Sequence, residues 1–157
     1  MNNYSYENLC KLLKDGSIND AIELRRYIEE WNTKDDKTII EIIQNMERLY
    51  INEIGTYYRN TVFKFDKYEI ILIYWCPYSH SRVHYHPNKG CIMKILQGYL
   101  DIDIYDDSDF STIQHLSSII RNEGEVEYIK GKHGIHRISN DTNGWYAISL
   151  HVYVHNK

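Results

Sequence analysis

The spacing of apolar residues changes period once along this chain, near residue 53, and this change sets the fold class. Before residue 53, apolar side chains recur every three or four positions, as in three short amphipathic helices. Ser5 is placed to cap the first helix, and Gly16 is placed to end it. After residue 55, β-branched and aromatic runs alternate with short polar breaks, which is typical of an antiparallel barrel or sandwich. We therefore expect a mainly β domain over 1–157, with a helical segment at 1–52 packed on a β-barrel at 53–157.

The strand pattern can be assigned to segments of the sequence. Eight segments have it: Tyr58–Phe63, Tyr68–Trp75, Arg82–His86, Cys91–Gln97, Tyr99–Tyr105, Val126–Ile129, Ile135–Ile138 and Trp145–Val154. Gly98 predicts a hairpin turn after the fourth of these, because glycine tolerates positive φ. The stretch Asp106–Glu125 has no such pattern, and we expect it to be an irregular surface excursion.

The last strand has an unusual distribution of polar residues over its two faces. One face is apolar throughout and is expected to be buried. The other face carries Trp145, Ser149, His151 and Tyr153, together with Ala147. In an open sheet this second face would meet water, whereas in a small barrel it could line a polar cavity. The two aromatic residues on it favour the cavity. A serine hydrolase fits poorly, since neither a nucleophile elbow nor an obvious acidic partner accompanies Ser149 and His151.

Two histidines lie two positions apart in the predicted strand Arg82–His86. Residues at this spacing share one face of a strand, so the imidazoles of His84 and His86 lie roughly 6.6 Å apart at Cβ and can reach one metal ion. Taken alone, the pair fits an exposed strand equally well. His136, on a later predicted strand, could supply a third imidazole.

Composition restricts the partners of the chain. The net charge is −4, and no cluster of lysine and arginine stands out, which disfavours nucleic acid and anionic membranes. No apolar run approaches the roughly 20 residues of a membrane span. The three cysteines, Cys10, Cys76 and Cys91, have no C-x-x-C spacing, which favours a reducing compartment over a disulfide framework. We expect a cytoplasmic monomer that acts on small molecules.

A small β-barrel with H-x-H on one strand and a third histidine on a later strand resembles the cupin superfamily. Within it the chain resembles the cysteine dioxygenases in five segments, which occur in the family's order with compatible spacing. These are Tyr57-Tyr58-Arg59-Asn60, Trp75 with His84-Tyr85-His86, Cys91–Gly98, His136–Asn140 and Ser149-Leu150-His151-Val152-Tyr153. Many cupins add a carboxylate shortly after H-x-H, but no Asp or Glu lies between Pro87 and Leu100 here.

The resemblance implies a set of ligands and substrates. His84, His86 and His136 would hold Fe(II) without a carboxylate and leave three positions open. L-Cysteine would bind through its sulfur and amine, and O2 would take the third position. Both oxygen atoms would then end on sulfur, as cysteine sulfinic acid.

The resemblance also implies roles around the iron. Arg59 would pair with the substrate carboxylate through its planar guanidinium, and Tyr57 would contact the same end of the substrate. Tyr153 would form a thioether with Cys91 and hydrogen-bond the reacting groups. His151 would orient Tyr153, and Ser149 would orient His151, while Trp75 packs against that corner. The expected substrate-binding residues are thus Arg59, Tyr57 and Trp75, and the expected catalytic residues are Cys91, Ser149, His151 and Tyr153.

Several alternatives stay open at the level of sequence. Arg82 and Arg137 are alternative carboxylate clamps. The substrate could be another small thiol such as 3-mercaptopropionate, although relatives acting on it commonly have Gln in place of Arg59. A cupin that binds metal or thiol as a sensor or scaffold is the non-catalytic alternative. A zinc or nickel isomerase is disfavoured by the missing carboxylate.

Overall fold

A computed structural model describes residues 4–82, 90–109, 112–129, 135–141 and 144–155 of the chain, with the backbone alone described at 106–109 and 112–113. Three α-helices come first in these residues: α1 (Tyr6–Lys14), α2 (Ala21–Glu30) and α3 (Lys37–Leu49). The predicted cap is confirmed, because the Ser5 side chain accepts a hydrogen bond from the backbone of Asn8. No helix in the described residues is both long and apolar enough to cross a membrane.

In the described part of the chain eight strands follow, and all of them pair antiparallel. They are β1 (Tyr57–Phe65), β2 (Tyr68–Trp75), β3 (Cys91–Gln97), β4 (Tyr99–Asp109), β5 (Thr112–Asn122), β6 (Val126–Ile129), β7 (Ile135–Ser139) and β8 (Ala147–Val154). Five of them form a sheet of order β1-β2-β8-β3-β6, and three form a sheet of order β5-β4-β7. The mainly β architecture with N-terminal helices is therefore confirmed.

The five-stranded sheet has a hydrophobic core on each of its faces. On one face, α1, α2 and α3 pack on the even-numbered residues of β2, β3 and β8, which include Leu72, Ile92 and Leu150. On the other face, odd-numbered residues such as Ile73 and Met93 meet Ile102 and other residues of the three-stranded sheet. This alternation follows from the period of two along a strand. The central strand β8 therefore contributes to both cores.

Two strand predictions were wrong. The segment Asp106–Glu125 is not an irregular excursion, because β4 continues to Asp109 and β5 spans Thr112–Asn122 as its antiparallel partner. Along β5, Leu116 and Ile120 are 61% and 56% exposed, so this edge strand lacks the alternation that marks a half-buried strand. Trp145 precedes β8 and is 56% exposed, so it does not share the inward face of that strand. In the predicted strand Arg82–His86, Arg82 lies outside any strand and 83–86 lie outside the described residues.

One buried charge joins the helices to the sheet. The side chain of Lys94, on the helix-facing side of β3, is buried and donates hydrogen bonds to the backbone oxygens of Ile28 and Trp31. Burial lowers the pKa of Lys94, because an ammonium group loses hydration there. Both acceptors lie at the end of α2, where backbone carbonyls lack helical partners. Lys94 thus fixes the end of α2 on the sheet.

Candidate active site

The polar face of β8 points into the space between the two sheets. Ser149 and His151 are fully buried, and Tyr153 is 9% exposed. A cavity of about 40 Å³ opens on this side of the sheet. Its described walls are Tyr57, Arg59, Ile73, Trp75, Ser81, Ile138, His151 and Tyr153. The prediction that this face lines a cavity is confirmed for His151 and Tyr153.

A chain of hydrogen bonds connects Trp75 to His151 through Ser149. Trp75 Nε1 donates to Ser149 Oγ at 2.8 Å, and Ser149 Oγ lies 2.7 Å from His151 Nε2. The serine hydroxyl has one hydrogen to donate, and His151 Nε2 lies within reach of it. When Nε2 accepts that hydrogen, the N–H of a singly protonated His151 ring is on Nδ1, which lies 3.9 Å from Cys91 Sγ.

Cys91 and Tyr153 are direct partners in the register between β3 and β8. Directly opposed residues of an antiparallel pair have Cβ atoms roughly 5 Å apart, so the thiol and the phenol are neighbours. Burial raises the pKa of both groups, and the Arg59 guanidinium offsets this only in part. Both side chains are therefore neutral at pH 7. The ring of Tyr153 stacks on that of His151, with centroids 6.0 Å apart.

Strand β1 brings two of the predicted substrate-binding residues to the rim of the cavity. The ring of Tyr57 stacks on Trp75 with a centroid distance of 5.0 Å, and Tyr57 is 36% exposed. Arg59 shares that face of β1 and is also exposed, because β1 is an edge strand of its sheet. Arg59 lies opposite Ile73, which in turn pairs with Ser149. In the described residues, no carboxylate forms an ion pair with Arg59.

Only one of the three predicted iron ligands lies in the described residues. His136, in β7, is fully buried and shares its face of the strand with Ile138, which lines the cavity. His84 and His86 lie outside the described residues, although Ser81 in the cavity wall precedes His84 by only three positions. Within 4–82, 90–109, 112–129, 135–141 and 144–155, no three histidine, cysteine or acidic residues cluster as a metal site would require.

The two alternative carboxylate clamps are placed elsewhere. Arg137 is adjacent to His136 in β7 and therefore projects from the opposite face of that strand. Arg82 is exposed. Neither arginine is a wall of the cavity that the described residues form. Of the three candidates, only Arg59 borders this cavity.

Sequence reasoning gave no role to two buried polar residues beside the site. Ser81 lines the cavity, and its hydroxyl accepts a hydrogen bond from the backbone of Ile138. Asn140 is fully buried, and its side-chain amide contacts three backbone carbonyls. In the sequence, Asn140 is only the last residue of the His136–Asn140 segment that resembles the family. A polar residue directly after a strand of buried residues was the one signal that could have pointed to it.

The site residues lie within one region of similarity to known proteins. A family model described as "Cysteine dioxygenase type I" matches residues 43–156, which include every predicted site residue from Tyr57 to Tyr153. The chain belongs to the cysteine dioxygenase type I family. Membership of this family supports dioxygenase activity. Cysteine dioxygenase type 1 from Homo sapiens is 30% identical over 153 residues, which cover 91% of this chain and 76% of the human protein. The Bos taurus enzyme is 31% identical over 154 residues with the same coverage.

Solved structures of cupin proteins resemble this family member in fold. A cupin superfamily protein from Desulfitobacterium hafniense matches 69% of this chain and 86% of its own, with a TM-score of 0.54 and 16% identity. A Klebsiella pneumoniae protein with a double-stranded β-helix domain matches 69% of this chain and 80% of its own, with a TM-score of 0.52 and 15% identity. At these identities the likeness concerns the fold alone, and it confirms the predicted cupin barrel.

Proposed function

We propose that this protein is a non-haem Fe(II) dioxygenase that oxidises L-cysteine with O2 to cysteine sulfinic acid. The observation that carries the proposal is the cavity between the sheets, where Arg59, Tyr57, His151 and Tyr153 converge beside Trp75. The family match supports the same reaction. The reaction balances without a reductant, because both atoms of O2 are added to the sulfur of one cysteine.

His84, His86 and His136 are the residues proposed to hold the iron. The full burial of His136, on the face of β7 that it shares with Ile138, supports this choice for the third ligand. Neutral imidazoles with open positions beside them suit Fe(II). Bound there, the iron would supply a positive centre that brings the thiolate of the substrate next to O2.

Arg59 is proposed to select the substrate by its carboxylate. Its guanidinium is close enough to Cys91 and Tyr153 to oppose the rise in their pKa values, so its positive charge acts on the cavity. A fork of parallel N–H donors matches a carboxylate, and a charge-assisted pair of this kind forms bonds stronger than neutral ones. The absence of an ion pair to Arg59 within the described residues leaves that fork available to a substrate.

Tyr153 is proposed to hydrogen-bond the reacting groups as a neutral phenol. Its raised pKa keeps the proton on the hydroxyl at pH 7, so the group can donate to negative charge that develops on the substrate. Ser149 and Trp75 hold His151 in one tautomer, and the ring of His151 stacks on Tyr153. In this arrangement Ser149, His151 and Trp75 position Tyr153.

Cys91 is proposed to form a thioether with the ring of Tyr153. The two residues are opposed in register, which supports the bond sterically. A sulfur–carbon bond would form with loss of the thiol hydrogen and one ring hydrogen, and O2 would serve as the oxidant. Intact mass after aerobic expression with iron should be lower by two hydrogens, and Cys91→Ala should abolish that difference.

The activity is tested by oxygen consumption of iron-loaded protein, with mass spectrometry of the product. We compare L-cysteine, 3-mercaptopropionate, which lacks the amine, and cysteamine, which lacks the carboxylate. L-Cysteine should be preferred and should yield the sulfinate. Faster turnover of 3-mercaptopropionate would mean that the substrate is a thiol other than cysteine. Iron binding without any sulfinate product would mean that the protein is a non-catalytic cupin.

Two variants with matched controls test the residue roles. Arg59→Gln should raise KM for L-cysteine on the order of 10- to 100-fold, which corresponds to losing about 1.5–3 kcal/mol of charge-assisted bonding. The turnover of cysteamine should not change, and the exposed Arg26→Gln should match wild type with both substrates. His136→Ala should lose iron, whereas the exposed His115→Ala should retain it. A His136→Ala protein that kept both iron and activity would remove this residue from the ligand set.

A further inference from the structure

We propose that Asn140 is a positioning residue that holds the His136 strand and the Trp75–Ser149–His151 chain in a fixed relation. The proposal rests on the proposed function, since it concerns the same site. Asn140 is fully buried directly after β7, four residues after His136. It is not a wall of the cavity formed by the described residues, so it acts through other groups.

The side chain of Asn140 connects three segments of the backbone. Its Nδ2 donates to the carbonyl oxygens of Trp75 at 3.0 Å, Cys76 at 3.3 Å and Trp145 at 3.0 Å. An amide nitrogen has two hydrogens, so one of them is shared between the adjacent carbonyls of Trp75 and Cys76. The first two acceptors lie at the end of β2, and the third lies two residues before β8.

The backbone of Asn140 joins a fourth segment, the stretch from Pro77 to Arg82. Asn140 N donates to Ser79 O at 2.8 Å, and Tyr78 N donates to Asn140 O at 2.7 Å. Two residues further, Ser81 N donates to Ile138 O at 2.8 Å. In sequence, this stretch leads directly to His84 and His86. Asn140 is therefore hydrogen-bonded to the end of β2, to the stretch from Pro77 to Arg82 and to the residues just before β8.

This arrangement gives Asn140 a role beyond holding a loop. Trp75 is both an acceptor of Asn140, through its backbone, and the donor to Ser149, through its indole. A shift at the end of β2 would move the indole of Trp75, itself a wall of the cavity, relative to Ser149. Arg59, the proposed carboxylate clamp, lies on a different strand, β1. Because a displacement of about 1 Å can reduce a rate on the order of 100-fold, the loss of Asn140 should affect turnover more than substrate binding.

The test compares Asn140→Ala with Asp36→Ala, a variant of the helical layer. Asp36 accepts a hydrogen bond from the Trp31 indole at 2.9 Å and is not among the described walls of the cavity. In metal-free protein, NMR resolves the indole N–H signals of the three tryptophans. Asn140→Ala should shift the Trp75 signal and speed its hydrogen exchange at least roughly tenfold, leaving Trp31 unchanged. Asp36→Ala should do the reverse.

Two further readouts use iron-loaded protein at a temperature where both variants are folded. Asn140→Ala should lower kcat for L-cysteine about 10- to 100-fold with KM within about threefold, and it should release iron faster to a chelator. Asp36→Ala should stay within about twofold of wild type in each. Should Asn140→Ala not fold, Asn140→Ser, whose hydroxyl can donate to one carbonyl, is held to the same criteria.

Each outcome decides the proposal. A folded Asn140 variant with wild-type exchange at the Trp75 indole overturns it, as does one whose losses only match those of Asp36→Ala. The NMR comparison needs neither iron nor cysteine. A wild-type protein that failed to oxidise cysteine would therefore refute the proposed function, while the indole signals would still test the position of Asn140.

Discussion

The hydrogen bond between Trp75 and Ser149 can be measured by a double-mutant cycle in the metal-free protein. Ser149→Ala removes one hydroxyl and leaves two buried groups, Trp75 Nε1 and His151 Nε2, without this partner. An unsatisfied buried polar group costs about 1–3 kcal/mol. We therefore expect Ser149→Ala to lower the free energy of unfolding by about 2–4 kcal/mol, a large share of the 5–15 kcal/mol of an ordinary domain.

Trp75→Phe removes the indole donor, so in the double variant only His151 Nε2 has lost its Ser149 partner. The loss in the double variant should thus be smaller than the sum of the single losses by about 1–2 kcal/mol, the cost of an unpaired indole N–H. The loss of side-chain volume and the altered stacking on Tyr57 affect both variants that carry phenylalanine at position 75 equally. They cancel in the cycle.

Urea unfolding followed by far-UV circular dichroism suits this cycle, because the tryptophan signal itself changes with Trp75→Phe. Equal m values in all four proteins would justify the comparison of unfolding free energies. Ser17→Ala, at an exposed position between α1 and α2, should change the free energy by less than about 0.5 kcal/mol and serves as control. A coupling below about 0.3 kcal/mol would refute the reasoning, because it would mean that Ser149 does not satisfy the indole.

Three further substitutions test the fold. Gly98→Ala should lower the free energy of unfolding in urea by about 2–4 kcal/mol, because φ is +77° and the new Cβ would lie 3.2 Å from a neighbouring side chain. Gly124→Ala, where φ is +85° and the space around the new Cβ is open, should lower it by only about 1–2 kcal/mol. Asp36→Ala should lower the free energy of unfolding more than Asp20→Ala does, because Asp36 accepts hydrogen bonds from four N–H groups. Asp20→Ala removes a single helix cap, which is worth about 1 kcal/mol. Equal losses of unfolding free energy would contradict this reasoning. Burial and a neighbouring carboxyl raise the pKa of Asp101 to about 6, so the folded state favours the protonated carboxyl and loses stability as pH rises towards and through 6. Asp101→Asn should therefore stabilise the protein by about 1 kcal/mol at pH 8 and by less at pH 4.5. A gain that is constant between the two pH values would contradict the assignment.

The helices and most strands follow from local pattern, and their confirmation has simple causes. Ser5 caps α1 by a bond within its own first turn, which sequence can show. The alternation in β8 was sufficient to separate the helix-facing residues from those of the cavity. Along β5 this reasoning failed, because an edge strand with two exposed faces leaves no apolar period to detect.

The site depended on a different kind of information. Spacing along one strand brings Ser149 and His151 together, but nothing local relates them to Trp75, which lies 74 positions from Ser149. The family resemblance supplied that relation. Lys94 and Asn140 were missed because each is satisfied by backbone oxygens of distant segments, and a carbonyl has no residue type by which to recognise it.

Strand β8 constrains how this protein can evolve or be engineered. Helix-packing residues and cavity residues alternate along its eight positions, so inserting or deleting a single residue before Ser149 would turn Leu150 and Val152 towards the cavity and His151 towards the helices. Folding and chemistry would be lost by the same event. Length variation should therefore be excluded from this strand, and libraries aimed at new thiols should vary side chains on β1, at the open edge of the sheet.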